Sequence, residues 1–294
     1  RELGIQTVAV YSEADREALH TLLADEAVCI GPAKATDSYL NMHQIISAAV
    51  TLQAEAIHPG FGFLSENSKF ANLCEEVGVK FIGPSAKVMD TMGDKINARA
   101  QMIAANVPVI PGSDGEVYDA TQALEVAQKI GYPVMLKASA GGGGKGIRKV
   151  NSQEELLPNF SSAQAEAQAA FGNGAMYMER VIYPARHIEV QILADEQGHV
   201  VHLGERDCSL QRNNQKVLEE APSIAIGHTL REKIGAAAVA AAKHVGYENA
   251  GTIEFLLDES TGNFYFMEMN TRIQVEHPVT EFVTNVDIVK NQIK

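Results

Sequence analysis

The chain is short of positive charge, of cysteine and of long apolar runs, and each shortage closes off a class of function. Lysine and arginine number 24 against 37 aspartate and glutamate, a formal net charge of −13. So acidic a chain argues against broad contact with nucleic acid or an anionic membrane, which needs a positive surface. A small anion can still bind wherever cations are gathered locally. The three cysteines, Cys29, Cys74 and Cys208, are odd in number, widely spaced and without a C-x-x-C pair. That argues against a disulfide framework or a thiolate metal site, points to a reducing, cytoplasmic compartment, and leaves all three as small core hydrophobes. The longest small-apolar run, Ala236–Ala242, is bracketed by Lys233 and Lys243 and falls far short of the roughly 20 residues of a spanning helix. No signal-peptide pattern stands at the start. Internal repeats are absent, as is any low-complexity tract beyond one glycine run.

What is present is an ordinary globular composition, 46% apolar and 21% charged, in a 294-residue chain that suggests about two domains. Residues 1–85 alternate short apolar strands (Thr7–Tyr11, Ala27–Ile30, Ala54–Ile57, Lys80–Ile82) with periodic segments such as Leu40–Ala49 and Lys69–Val77. That alternation predicts a parallel, Rossmann-like sheet. One helix is expected over Ala86–Ala105, then a turn-rich joint at Val107–Gly112, a helix at Ala120–Ile130 and a strand at Val134–Lys137. From Ala175 strands dominate: Met176–Arg180, His187–Ala194, Val200–Glu205, Gly251–Leu257 and Asn263–Met269, interrupted by a helix over residues 230–245. The second half therefore reads as α+β with a mostly antiparallel sheet. The chain opens on what looks like the last turn of a helix closed by Gly4 and stops inside the helical pattern of Asn285–Lys294, so it reads as part of a longer parent.

The first segment with chemical character is Lys137-Ala138-Ser139-Ala140-Gly141-Gly142-Gly143-Gly144-Lys145-Gly146. Glycines let backbone N–H groups approach phosphate oxygens, and lysine supplies the countercharge. A P-loop is excluded, because Ser139 stands where its first glycine belongs. The segment satisfies G-x-G-x-x-G, yet Ile147–Val150 reads as a strand where a dinucleotide site needs a helix. Strand, glycine loop and strand make a hairpin flap suited to a triphosphate. Residues 131–152 hold Lys137, Lys145, Arg148 and Lys149 and no acid, which favours the flap over a flexible linker.

A second constellation lies on the strands around the turn Asp258–Asn263. Glu254 and Glu268 are equidistant from residue 261, so they are expected roughly opposite one another, and Glu268 shares a face with Asn270. Facing carboxylates repel unless a cation lies between them, and two carboxylates with an amide oxygen suit Mg²⁺. Beyond the hairpin, Arg272, Gln274 and Glu276 recur at spacing two. Arginine can fork onto a planar anion and glutamate can take a proton, although an ordinary charged loop reads equally well from spacing alone.

Together the glycine loop, Glu254, Met267–Asn270 and Asn270-Thr271-Arg272-Ile273-Gln274-Val275-Glu276-His277-Pro278 resemble the ATP-grasp superfamily and, within it, biotin carboxylase. Ala56–Asn67, Met92–Lys95 and Glu205–Arg212 support the likeness, which covers essentially the whole chain. It implies a Rossmann-like N-terminal domain over residues 1–93 and an ATP-grasp domain over 94–294, with a mobile Gly-rich lid at about 110–181. The implied activity is ATP-dependent carboxylation of carrier-bound biotin by bicarbonate through carboxyphosphate, as in the first half-reaction of acetyl-CoA carboxylase in fatty acid synthesis. Implied cofactors are ATP and Mg²⁺ (or Mn²⁺). Implied partners are a biotin carboxyl carrier protein, a carboxyltransferase component and a second copy of the chain.

Carried over residue by residue, the resemblance gives Lys95 and Lys137 the phosphates, with Gly143 and Gly144 closing above them. Glu179-Arg180-Val181-Ile182 would be the hinge that reads adenine, and His187, Gln211 and Asn214 would border the nucleotide. Glu254, Glu268 and Asn270 would bind the metal; Lys216, Arg272 and the Val275 amide would hold bicarbonate, and Glu276 would be the base. Three positions depart from the family: Asn214 for a usual His, Ala140 for Gly and Phe61 for Tyr. The family's first strand and its C-terminal subdomain are not among these residues, so the 294-residue piece alone is expected to be inactive. Other readings are a propionyl-CoA or pyruvate type of biotin-dependent carboxylase, or another ATP-grasp ligase.

Overall fold

The computed structural model describes residues 2–139, 146–213 and 215–294. The glycines Gly143 and Gly144, with Ala140 and Asn214, lie outside the described residues. The chain forms two compact units: residues 1–107, 187–255 and 268–294 make the first, and residues 108–186 and 256–267 the second.

The first unit begins with parallel strands, but in two pieces rather than one sheet. Val8–Ser12 pairs with Glu26–Gly31, and Ala56–Ile57 pairs with Lys80–Phe81. The second pair is only two residues long on each side, too short to extend the ladder. The helices between them start where polar side chains cap them. Asn41, Asn67 and Ser85 each accept a hydrogen bond from the amide three residues on. Their apolar faces (Ile46, Phe70, Ala71, Cys74, Met89) close a core with Leu64 and Phe81.

The single helix expected over residues 86–105 is two, Ala86–Gly93 and Lys95–Ala104. Asp94 lies between them in an extended conformation, and its carboxylate caps the second helix through the Asn97 amide at 2.8 Å. The break places Lys95 at the first position of a new helix.

The five-stranded sheet has the order Gln215–Glu220, Val200–Arg212, Ala185–Ala194, Asn249–Asp258, Phe264–Asn270. Two features differ from expectation. The strand expected to end at Glu205 runs on to Arg212, and it turns back through Asn213, at φ 53°, into an additional strand. Polar residues such as Arg206, Asp207 and Gln211 resemble a loop in sequence, yet the first two are buried. The extension sets Lys216 opposite Gln211, and the neighbouring antiparallel ladder sets Glu189 opposite Arg206.

The second unit carries a three-stranded antiparallel sheet, Arg148–Val150, Val134–Ala138, Met176–Arg180. The strands on either side of the glycine run pair directly, Val134 with Val150 and Leu136 with Arg148, as a hairpin requires. Ala120–Ile130 and the helix Gln153–Phe171 cover one face and supply Ala123, Ala127, Leu156, Phe160, Ala163 and Ala167 to its core. The longer helix has no counterpart in the sequence reading. Pro158 stands inside it, where a proline in sequence argues against a helix, and its surface of Gln, Glu, Ser and Ala dilutes the apolar period.

Of the cysteines, Cys74 and Cys208 are buried, but Cys29 is exposed. The expectation of three core thiols fails there because Cys29 lies in the strand Glu26–Gly31, whose two-stranded ladder leaves half of its residues exposed.

Candidate active site

In the first unit, one ammonium gathers three carboxylates. Lys216 Nζ donates to Glu189 Oε2, to Glu254 Oε1 at 2.9 Å and to Glu276 Oε1 at 2.8 Å. Each acid arrives on a different element: Glu189 on Ala185–Ala194, Glu254 on Asn249–Asp258, and Glu276 at the N-cap of the helix His277–Thr284. Burial opposes the lysine's charge, but Glu189 and Glu254 outweigh it and hold the ammonium well above its ordinary pKa. Burial likewise raises Glu276, yet the Lys216 hydrogen bond and charge prevail and leave its carboxyl below the usual range. The same balance holds for Glu254, which His187 and Lys216 keep ionised against burial.

Beneath this group lies Arg206, with no solvent exposure. Its five N–H donors all find oxygen acceptors. Nε takes Glu189 Oε1 at 2.5 Å, Nη1 takes Gln191 at 2.9 Å and Thr280 at 2.8 Å, and Nη2 takes Thr252 at 3.3 Å and Gln274 at 2.8 Å. Thr252 is two residues before Glu254 and Gln274 two before Glu276. One guanidinium therefore ties down the strand and the loop that present the carboxylates.

Glu254 is the most heavily engaged acid. Besides Lys216, its Oε1 accepts from Asn270 Nδ2 at 2.8 Å and Gln274 Nε2 at 3.1 Å, and its Oε2 lies 2.7 Å from His187 Nε2. The Gln211 amide nitrogen meets the other ring nitrogen of His187, Nδ1, at 2.8 Å. Glu268 completes the acidic set. Solvent reaches it, but its surroundings and the charge of Glu254 raise its pKa, while Lys95 pulls the other way. Burial pushes the Cys208 thiol far up, which makes it a packing group here.

Glu254 and Glu268, whose charges repel, and Asn270, whose amide reaches Glu254 through Nδ2 and Arg272 through Oδ1, are the hard oxygen donors that would hold a magnesium ion. His187, Glu189 and Glu254 also converge within 4.8 Å. Glu189 is committed to Arg206 and Lys216, so that trio is a poorer metal site than Glu254, Glu268 and Asn270. Arg272 stands next to the set, its Nη2 on Asn270 Oδ1 at 3.1 Å, and Val275 is exposed.

In the second unit, Lys137 on the strand Val134–Ala138 forms an ion pair with Glu179 on Met176–Arg180, and Lys137 stays partly open to solvent. The amides of Arg180 and Val181 are engaged by the carbonyls of Pro111 at 2.7 Å and Pro133 at 2.9 Å, and Ile182 is buried. Three residues of this architecture escape sequence reasoning as participants: Glu189, Arg206 and Glu66. Arg206 and Glu66 stand inside motifs that carry the family likeness, but only the pairing of strands and loops shows what they hold.

A glycine-bearing hairpin with its lysine in one unit, and an oxygen-rich acidic set on the sheet of the other, define an ATP-grasp ligase fold. Residues 94–294 match the family model described as the carbamoyl-phosphate synthase L chain, ATP binding domain, and residues 1–89 match the biotin carboxylase N-terminal domain. The chain belongs to the biotin carboxylase family. It is 60% identical over 293 residues to a biotin carboxylase of Nostoc sp. (strain PCC 7120 / SAG 25.82 / UTEX 2576), covering 100% of this chain and 65% of that protein.

A crystal structure of a biotin carboxylase–βγ-ATP complex from Campylobacter jejuni superposes with a TM-score of 0.91 at 51% identity, covering 100% of this chain and 66% of that one. The biotin carboxylase domain dimer of Hydrogenobacter thermophilus 2-oxoglutarate carboxylase, in complex with MgADP, ADP and bicarbonate, gives 0.88 at 55%, covering 99% and 64%. The chain thus spans about two thirds of the length of these relatives. Among the described residues no helix is long and apolar enough to cross a membrane.

Proposed function

We propose that the full protein carboxylates biotin with bicarbonate at the expense of ATP. The single observation that carries this reading is the Lys216 ammonium among Glu189, Glu254 and Glu276. The arrangement fixes a cation directly beside Glu276, whose carboxyl is held below the usual range, so a charge that attracts a small anion and a carboxylate that can accept its proton stand side by side.

Lys216, Arg272 and the Val275 amide hold bicarbonate, and Glu276 takes its proton. The bicarbonate oxygen then forms a bond to the γ-phosphorus as the bond to ADP breaks, giving carboxyphosphate; its C–O bond to phosphate breaks as the carboxyl carbon bonds the ureido nitrogen of biotin, and the departing inorganic phosphate carries away that nitrogen's proton. Lys95 and Lys137 bind phosphates, and the hairpin containing Gly143 and Gly144 closes on them as a lid. The segment Glu179–Ile182 faces adenine, with His187, Gln211 and Asn214 along the nucleotide. Glu254, Glu268 and Asn270 hold Mg²⁺, which neutralises phosphate charge when bound.

The bound ligands described for the Campylobacter and Hydrogenobacter proteins support ATP, magnesium and bicarbonate as the small molecules. We assign a biotin carboxyl carrier protein as the partner that brings biotin, a carboxyltransferase as the next component, a homodimer as the assembly and the cytoplasm as the location. Acetyl-CoA is our acceptor for the transferred carboxyl group, in fatty acid synthesis. The likeness to a 2-oxoglutarate carboxylase supports a second reading, in which the acceptor is a keto acid.

The test is ADP release by the full-length protein with and without bicarbonate and free biotin. Release that requires bicarbonate and rises with biotin is expected; release indifferent to both would assign the chain to another ATP-grasp reaction.

A further inference from the structure

Arg272 follows the strand Phe264–Asn270 on a long, flexible side chain, and a guanidinium that receives an anion must be aimed. Among the described residues three of its five N–H donors are engaged. Nε meets Glu66 Oε2 at 2.9 Å, Nη1 the Ile273 carbonyl at 3.2 Å and Nη2 Asn270 Oδ1 at 3.1 Å. One donor on each terminal nitrogen remains, the pair that a planar oxyanion takes side by side.

Glu66 grips more than the guanidinium. Its Oε1 accepts the Thr271 amide at 3.0 Å and the Thr271 hydroxyl at 3.3 Å, so one carboxylate fixes two successive residues from 205 and 206 positions away. The support is itself firm. Glu66 lies between buried Ser65 and Asn67, and Asn67 caps the helix Ser68–Glu76 by accepting the Phe70 amide at 2.9 Å. The pair is only partly shielded, with side chains 21% and 40% exposed for Arg272 and Glu66. A pair so open to water contributes little stability, so direction is what it supplies.

We propose that Glu66 is a positioning residue for the carboxylation reaction: it holds the Nε edge of Arg272 and thereby presents the two terminal N–H groups to bicarbonate. This rests on the reading that Arg272 binds bicarbonate. Glu66 itself touches no substrate, and its charge is turned to Arg272 and Thr271.

The experiment uses the full-length protein as wild type, Glu66→Gln, Glu66→Asp, Arg272→Lys and the Glu66→Gln/Arg272→Lys double variant, assayed for bicarbonate-dependent ATP cleavage. Loss of one hydrogen bond to a charged group raises the KM for bicarbonate about tenfold in Glu66→Gln. The KM for ATP stays at the wild-type value, and Glu66→Asp falls between wild type and Glu66→Gln. In the Arg272→Lys background the Glu66 change adds less than about twofold, because both act through one contact. Effects that multiply, equal changes in both KM values, or no change would overturn the proposal. Wild-type protein without bicarbonate-dependent cleavage would instead overturn the functional reading, so the two failures are told apart.

Discussion

Glu189 and Arg206 face each other directly across two antiparallel strands, both fully buried, with Nε and Oε1 2.5 Å apart. The other oxygen of Glu189 goes to Lys216, so the pair links a saturated structural cation to the ammonium at the centre of the acidic group.

Breaking that pair from one side leaves a buried carboxylate with half its partners and four further acceptors without a donor. Arg206→Met should therefore cost about 3–5 kcal/mol in chemical denaturation. Arg206→Lys keeps the charge but cannot reach five acceptors, and it should fall between the variant and the wild type. A midpoint within experimental error of wild type for Arg206→Met would show that the network carries no stability.

The acids around Lys216 give stability a predictable sign with pH. Glu254 and Glu276 have folded-state pKa values below their unfolded ones, despite burial. Their contribution is complete above the ordinary carboxylate range and is lost as pH falls through the depressed values. Lys216→Met removes the main cause of that depression at Glu276 and part of it at Glu254, where His187 also contributes. Its destabilisation relative to wild type should be largest near neutral pH and shrink as the pH falls below the ordinary carboxylate range towards about 2, where Glu254 becomes protonated in the wild type as well. Unfolding midpoints of the two proteins across pH measure this, and a pH-independent gap would contradict it.

Glu268 runs the other way. Partly desolvating surroundings and the charge of Glu254 raise its pKa, so its contribution is favourable below the unfolded value and is lost as pH rises through the folded one. A divalent cation relieves the repulsion. Magnesium at a hundred times its dissociation constant should stabilise the protein by about 2.7 kcal/mol. Glu268→Gln should weaken that gain while leaving the metal-free protein at neutral pH no less stable. Thermal unfolding with magnesium or with chelator distinguishes these outcomes.

The thiols separate by exposure. Cys29 is open, whereas burial pushes the Cys74 thiol up to about 11 and the Cys208 thiol further. Of these three, Cys29 should take up a maleimide in the native protein, and Cys74 and Cys208 only after unfolding. Native labelling of Cys208 would mean that the sheet opens at the site.

How far such features can be read from sequence depends on whether their causes are local. The helix Ala120–Ile130 stands between Asp119 as N-cap and Gly131 at its end, and the strand Met176–Arg180 alternates cleanly, so both are legible residue by residue. The break at Asp94 is equally local, since Gly93-Asp94 is a stop followed by a cap, but the apolar period runs across it. Strand Val200–Arg212 is different. Its polar half is stable only because Glu189, Gln191, Thr252, Gln274 and Thr280 meet Arg206 from distant elements. In the acidic group, residue type and spacing suggest Glu254, Glu268, Asn270, Arg272 and Glu276. The side chains that aim them, Glu66, Glu189 and Arg206, are named only by long-range pairing.

A bicarbonate-activating centre made of Lys216 and Glu276 has a direct kinetic signature. Bicarbonate-dependent, biotin-stimulated ATP cleavage would be measured in the full-length protein beside Glu276→Gln and Lys216→Gln. Removing a positioned base should lower the rate by about 10²–10⁴-fold in Glu276→Gln while nucleotide binding persists, with a comparable loss in Lys216→Gln. Undiminished cleavage in both variants would contradict the account.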